Sequence, residues 1–217
     1  MGGGSEGARR VGDHRIEALE RAMDARPPRE VELSDGAPTA AVALLVRPGA
    51  EGAELLLIRR AEREGDPWSG HMALPGGRAA PGDADAVATA ARETREEVGI
   101  DVLEHGRLLG PLDVLGPMTG GATYITVAPF VFAVEPGVEP VPNHEVALAL
   151  WVPLAELELP GAATEYLLEL HDGTTVPFPA FGARGHVVWG MTYRILTGFL
   201  ELYTQAADAE RLHLFDR

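Results

Sequence analysis

The stretch that most limits how this chain can fold is residues 76–100, GGRAAPGDADAVATAARETREEVGI, where a glycine-rich turn runs into a helix that ends in a cluster of charges. Asp83 or Asp85 can cap the helix, the alanine-rich run that follows has high helix propensity, and Gly99 stands where a C′ glycine closes a helix. At about 100° per residue, Val87, Ala91, Thr94 and Val98 share one stripe, and Glu93, Glu96 and Glu97 share another roughly opposite. The first stripe suits a core. The second gathers three carboxylates within a turn, where exposed like charges repel by roughly a few tenths of a kcal/mol per pair.

Such a face is either a solvated acidic surface or a site whose charge is balanced by something bound. Hard divalent cations such as Mg²⁺ and Mn²⁺ prefer oxygen ligands, so a bound metal ion is one way to balance such a cluster. Gly76 and Gly77 follow Pro75 and form either a plain turn or a loop whose backbone, lacking Cβ, can approach metal or phosphate closely.

The run 92–100, RETREEVGI, matches the second half of the Nudix box, with Thr94 at the first aliphatic position. Counting back from Arg92 by the pattern's spacing reaches Arg78 and Ala84, where a Gly and a Glu are called for. An offset of one residue brings in Gly77 and Asp83 instead. With that offset the stretch resembles the coenzyme A diphosphatase branch of the Nudix hydrolases. Upstream, Leu56, Leu57, Arg60, Ala61, Gly70 and the LPGG of residues 74–77 match a signature of the same branch. Leu74 replaces its Phe, and its middle Arg has Gly65 or Asp66 at that spacing, with Arg63 as the displaced candidate. The Trp-Gly-x-Thr at residues 189–192 is also similar to that branch.

The resemblance implies the α/β class and a Nudix-fold α/β/α sandwich with a mixed β-sheet. It implies metal-dependent hydrolysis of a nucleoside diphosphate linked to another moiety, with Mg²⁺ or Mn²⁺ as cofactor. Glu93, Glu96 and Glu97, with Gly77, would hold the metal. Glu96, Glu97 and Glu145 are the carboxylates it offers for catalysis. Leu148 stands where relatives commonly carry a further acid. Arg59, Arg60 and Arg63 would lie near the nucleotide phosphates, where a planar guanidinium makes bidentate contacts, or else be solvated arginines at a strand end. Trp68 would stack on adenine or act as a hydrophobic plug. His71 titrates near neutrality and is either an acid–base group or structural. Gly76, Asp83, Arg92 and Gly99 would shape the loop, with Asp83 taking over the salt bridge to Arg92 from the missing Glu. The substrate is coenzyme A on this reading. ADP-ribose, dinucleoside polyphosphates and oxidised nucleotides are the alternatives, and a non-catalytic sensor would normally have lost one of the acids.

The formal charge of −15 and pI near 4.8 disfavour a nucleic-acid polymer or an anionic membrane as partner. All 18 basic residues are Arg, so no lysine nucleophile or Schiff base is available, and with no cysteine neither thiolate metal sites nor cysteine catalysis is. No apolar run is long enough to span a membrane, and a cytoplasmic protein is expected.

At 217 residues one domain is expected, with residues 1–12 as a disordered tail, 13–36 as a helix and linker, 37–205 as the Nudix domain and 206–217 as a C-terminal tail. Ile16, Leu19 and Met23 form the apolar stripe of the first helix, which is expected to pack on the domain or to contact a second copy in a homodimer. Residues 40–46 and 54–59 are expected as a strand hairpin. Residues 108–112 and 124–134, and a segment up to Val152, are further strands, the last followed by a short helix from Pro153. Short strands at 178–182 and 186–188 precede a long helix expected to open at Trp189.

Overall fold

The computed structural model describes residues 14–25, 39–66, 68–116, 125–170 and 172–215. The expected tail 1–12 and linker 26–36 lie outside these, as do the turn signals Pro117, Gly120 and Gly121.

The two apolar runs form an antiparallel hairpin of β1 (Thr39–Gly49) and β2 (Gly52–Arg60), closed where Gly49 faces Gly52. Both strands are apolar at successive positions because both faces of the sheet are covered. Ala41, Ala43, Leu45, Leu56 and Ile58 face helix α2 (Ala86–Val98) through Ala90, Ala91 and Val98. Leu44, Val46, Leu55 and Leu57 belong to the opposite core, with Ile16, Leu19 and Met23 of α1 (His14–Ala25) and Ile195, Leu196 and Phe199 of α4 (Gly190–Phe215). Helix α1 packs against α4 on that side.

Around the hairpin the sheet is completed by β3 (Met72–Ala73), β4 (Gly76–Arg78), β5 (Gly106–Pro111), β6 (Thr126–Val134) and β7 (Val146–Pro153). The order runs β3-β2-β1-β6-β5, with β4 beside β1 and β7 beside β2. Only the β1–β6 pairing is parallel among these, which makes the sheet mixed. With α2 on one face and α1 and α4 on the other, the architecture is the expected α/β/α sandwich. Helix α3 (Leu154–Glu158) follows β7 where Pro153 ends the strand.

A second, three-stranded antiparallel sheet is built from β8 (Ala163–Glu169), β9 (Thr175–Ala183) and β10 (His186–Trp189). The first of these strands is absent from the sequence reading, although Asp172 and Gly173, with φ of +79° at the glycine, carry the signal of a hairpin turn. Two expectations are corrected at the C-terminal end. Trp189 closes β10 and does not open the helix, because Gly190 takes a left-handed φ of +66° that breaks the strand first. The tail expected from residue 206 is the last part of α4, which continues to Phe215 through a run with neither Gly nor Pro to stop it.

Candidate active site

Helix α2 begins where the Asp85 side chain accepts the Ala88 N–H at 2.8 Å, and ends at Gly99, whose φ of +68° lets its N–H return to the Arg95 carbonyl at 3.0 Å. Asp85 is therefore the cap. That leaves Asp83 for a different duty: its Oδ1 receives Arg92 Nε at 2.9 Å and its Oδ2 receives Arg92 Nη2 at 3.1 Å, Thr89 Oγ1 at 2.8 Å and the Ala80 N–H at 2.9 Å. The Arg92 guanidinium holds the Asp83 carboxyl well below the usual carboxylate range, and Asp83 in turn raises Arg92. Arg92 Nη2 also donates to the Arg78 carbonyl at 3.1 Å, so one fork ties the start of the glycine-rich loop to the helix.

The loop closes over the acidic face. Its strand β4 pairs with β1, setting Gly76 opposite Val42 and Gly77 opposite Ala41. Gly76, at φ +152°, donates its N–H to Glu97 Oε2 at 2.9 Å. A Cβ on Gly77 would sit 2.5 Å from the carboxyl carbon of Glu93. Gly77 is thus required by close approach to a glutamate, and Gly76 by its φ and its close approach to Ala41 and Val42 of β1. A family model described as NUDIX domain matches residues 37–170. The chain belongs to the Nudix family.

Three curated proteins are similar to the chain, one of them described as a Nudix hydrolase. An uncharacterized protein of Schizosaccharomyces pombe is 39% identical over 132 residues, covering 58% of this chain and 40% of that protein. The uncharacterized Nudix hydrolase NudL of Photorhabdus laumondii is 33% identical over 171 residues, covering 78% of this chain and 87% of NudL. The human mitochondrial coenzyme A diphosphatase NUDT8 is 33% identical over 162 residues, covering 73% of this chain and 66% of NUDT8. The chain spans two fifths of the fission yeast protein and just under two thirds of the human one.

Within the Nudix box, the three glutamates have different surroundings. Glu97, at the border of the core stripe, is 4% exposed because β4 covers that side of the helix. Burial pushes its carboxyl up to about 7, against the pull of the Gly76 N–H; Glu93 and Glu145 nearby push the same way. Glu93 is raised as well, chiefly by burial, with Arg92 opposing. Glu96 is half exposed. Arg92 Nη1 donates to Glu93 Oε1 at 2.8 Å and to Glu96 Oε2 at 3.1 Å. Among the described residues no three His, Asp or Glu side chains form a group able to hold a metal ion. The donor set nonetheless fits a hard divalent cation. It consists of oxygens only, and the buried Glu97 takes a single backbone N–H as compensation, so its ionised form is left short of positive charge.

Glu145 reaches this site through a separate loop. The N–H groups of Val141 and Asn143 donate to the carbonyls of Val98 and Glu97 at 2.8 and 2.9 Å, fastening residues 138–145 to the end of α2. The Glu145 N–H is held by Asn143 Oδ1 at 2.7 Å, and its carbonyl accepts the Ala61 N–H at 2.8 Å. Its carboxylate is exposed and close enough to raise both Glu93 and Glu97. Asn143, which positions it, has no signature in the sequence.

The expected phosphate-binding arginines lie beside the same loop. Arg60, at the end of β2, donates from Nη2 to Asp66 Oδ2 at 2.9 Å and exerts a favourable field on Glu97. The Nε atoms of Arg59 and Arg60 are buried without a hydrogen-bond partner among the described residues. Arg63 and Trp68 are exposed, Trp68 by 49%, and both belong to a turn organised by Asp66 and Ser69. Asp66 Oδ1 accepts the Trp68 N–H at 3.0 Å. His71 is half-buried against Trp189 and Tyr166, and burial lowers it below the ordinary histidine range.

Proposed function

We propose that this Nudix protein is a metal-dependent hydrolase of the diphosphate bond in a nucleoside diphosphate linked to another moiety, with coenzyme A as the substrate and 3′,5′-adenosine bisphosphate and 4′-phosphopantetheine as the products. The observation that carries the proposal is the bracket formed by Asp83, Arg92 and the loop glycines, which sets Glu93 and Glu97 against β4 and joins Glu93 and Glu96 through Arg92. The choice of coenzyme A is supported by the upstream signature and by the likeness to NUDT8.

Glu93, Glu96 and Glu97, with the Gly77 carbonyl, are the groups that would hold Mg²⁺ or Mn²⁺. When bound, such an ion offsets phosphoryl charge and lowers the pKa of water. The protein's own residues do the rest. Arg92 holds Glu93 and Glu96 and the Gly76 N–H holds Glu97, while Arg60 provides a cation for a phosphate oxygen. Water attacks phosphorus in line with the departing oxygen, and its proton passes to a carboxylate, with Glu96, Glu97 and Glu145 as the available bases. Glu145 suits that role because its loop is pinned by backbone hydrogen bonds while its carboxylate stays free to take a proton.

Coenzyme A carries a 3′-phosphate that ADP-ribose lacks, and a guanidinium binds such a group bidentately. A second reading draws on Asp66. Gly65 or Asp66 stands where the upstream signature has an arginine, and the bond of Asp66 to Arg60 spends part of the positive charge available to an extra phosphate. ADP-ribose, a dinucleoside polyphosphate or an oxidised nucleotide would then be the substrate. The deciding test is hydrolysis of a panel of these compounds with product identification, with and without chelator. Preference for coenzyme A over its 3′-dephospho form supports the first reading. Faster turnover of ADP-ribose than of either supports the second, and no hydrolysis of any compound with Mg²⁺ or Mn²⁺ rejects both.

A further inference from the structure

Four rings meet on one side of the small sheet. Tyr166 lies flat on Trp189, with centroids 3.9 Å apart and planes at 11°. Phe178 tilts against Trp189 at 5.7 Å, and His71 meets Trp189 edge-on at 5.1 Å. Strand register explains the grouping. Tyr166 is the cross-strand partner of Phe178, and Trp189 that of Ala180 two residues on, so all three rings project from the same face. The other face is the one that packs on α4, through Phe181 against Tyr193 and the buried Ala183 and Val188. On the aromatic face the rings of Tyr166, Phe178 and Trp189 are partly buried, each keeping some exposed surface.

The position of this face relative to the Nudix site is fixed by His71. Its carbonyl accepts the Arg60 N–H at 3.0 Å, and its ring touches both Trp189 and Tyr166. Thr192, just after the Trp, donates to the Met72 carbonyl at 3.4 Å and so ties the start of α4 to β3. The Arg60 guanidinium, paired with Asp66 through Nη2 but with an unpartnered Nε among the described residues, is close enough for its charge to act on the His71 ring, so it and the stack of aromatic rings flank a single histidine. A flat π-surface favours another planar ring, and a guanidinium favours a phosphate. The ligand chemistry that satisfies both is a nucleobase carrying a phosphate.

We propose that the Tyr166–Trp189 stack is the seat of the substrate's nucleobase, with the attached phosphate at Arg60. This rests on the hydrolase reading for its biological sense, but its test does not require turnover. Binding of AMP and of ribose 5-phosphate, which has no base, is measured by calorimetry on the full chain carrying Tyr166→Phe, Tyr166→Leu or Tyr166→Ala. Loss of one stacking ring weakens nucleotide binding by roughly five- to a hundredfold. The expected result is a loss of that size for AMP in Tyr166→Leu and Tyr166→Ala, none in Tyr166→Phe, and no change for ribose 5-phosphate in any variant. Tyr166→Leu keeps the strand packed if Tyr166→Ala does not fold. Unchanged AMP affinity in folded Tyr166→Leu overturns the assignment, as does an equal loss for ribose 5-phosphate. A shift in sedimentation with no change in AMP affinity also overturns it and makes the face a contact between copies. Ring-dependent AMP binding in a protein that hydrolyses nothing leaves the seat standing and rejects the hydrolase.

Discussion

Arg92 Nε lies 2.9 Å from Asp83 Oδ1, and the same guanidinium donates to Glu93 and Glu96. Asp83 thus competes with the glutamates for one cation. Replacing it by Ala releases Arg92 toward the acidic face, where it opposes metal binding. Asp83→Ala is expected to raise the Mg²⁺ concentration for half-maximal activity by roughly ten- to a hundredfold, the scale on which partners of metal ligands are felt. A titration that matches the wild type would remove Asp83 from that role.

Gly77 and Gly76 predict different failures. A Cβ at residue 77 meets only the flexible Glu93 carboxylate, so Gly77→Ala is expected to keep its melting temperature within a few degrees of wild type and lose most of its turnover. A Cβ at residue 76 meets the Ala41 carbonyl and, at 2.6 Å, Val42 Cα, which cannot move without displacing β1. Gly76→Ala is therefore expected to unfold at lower temperature, by a margin corresponding to roughly 1–3 kcal/mol. Thermal melts beside initial rates separate the two, and the reverse pattern would contradict the loop geometry.

Glu97 predicts a pH dependence of stability in chelator. Its folded pKa of about 7 lies above the ordinary glutamate value, so the folded state holds a proton that the unfolded state releases earlier. The benefit is complete below the unfolded value of 4.5 and is lost as pH rises through about 7. Wild-type protein should lose on the order of 2–3 kcal/mol across that window relative to Glu97→Gln, and Mg²⁺ should restore stability at pH 7.5. Parallel pH profiles for the two proteins would show that Glu97 is not held at an elevated pKa.

Glu145→Gln tests the loop fastened to the end of α2. If its carboxylate takes the proton from water, kcat should fall by at least roughly a hundredfold with little change in KM. Wild-type kcat would make Glu145 a surface residue.

Asp66→Arg tests how Arg60 is balanced. The substitution removes the carboxylate that engages Nη2 and adds a cation in its place. The ratio of kcat/KM for coenzyme A over 3′-dephospho-coenzyme A is expected to rise by roughly tenfold or more. No change in that ratio would separate Asp66 from phosphate recognition.

The α2 segment was readable because its signals are local: a capping Asp85, an αL Gly99 and three acids at helical spacing all act within one turn. The pairing of Asp83 with Arg92 was legible only through the resemblance to the Nudix box, since local signals alone left Asp83 as a candidate cap. The burial of Glu97 was not, because the group that covers it is the Gly76 N–H of a strand that helical periodicity cannot see. The positioning of Glu145 by Asn143 and Ala61 likewise depends on three loops meeting in space. Strand β8 escaped for a different reason. Its residues are exposed or half exposed along their length, so they lack the clean alternation that a half-buried strand shows.

The clasp between α1 and α4 has a consequence for how the chain is made. Ile16, Leu19 and Met23 bury themselves in a core completed by Ile195, Leu196 and Phe199. At ribosomal speeds the intervening stretch takes roughly ten to thirty seconds to emerge. During that interval the stripe of the first helix has only the strands β1, β2 and β5 to pack on, and β1 first waits for the β6 strand that it pairs with in parallel. A chain that stops before Ile195 is thus expected to leave that stripe partly uncovered, which binding of a hydrophobic dye by the truncated chain and not by the full one would show.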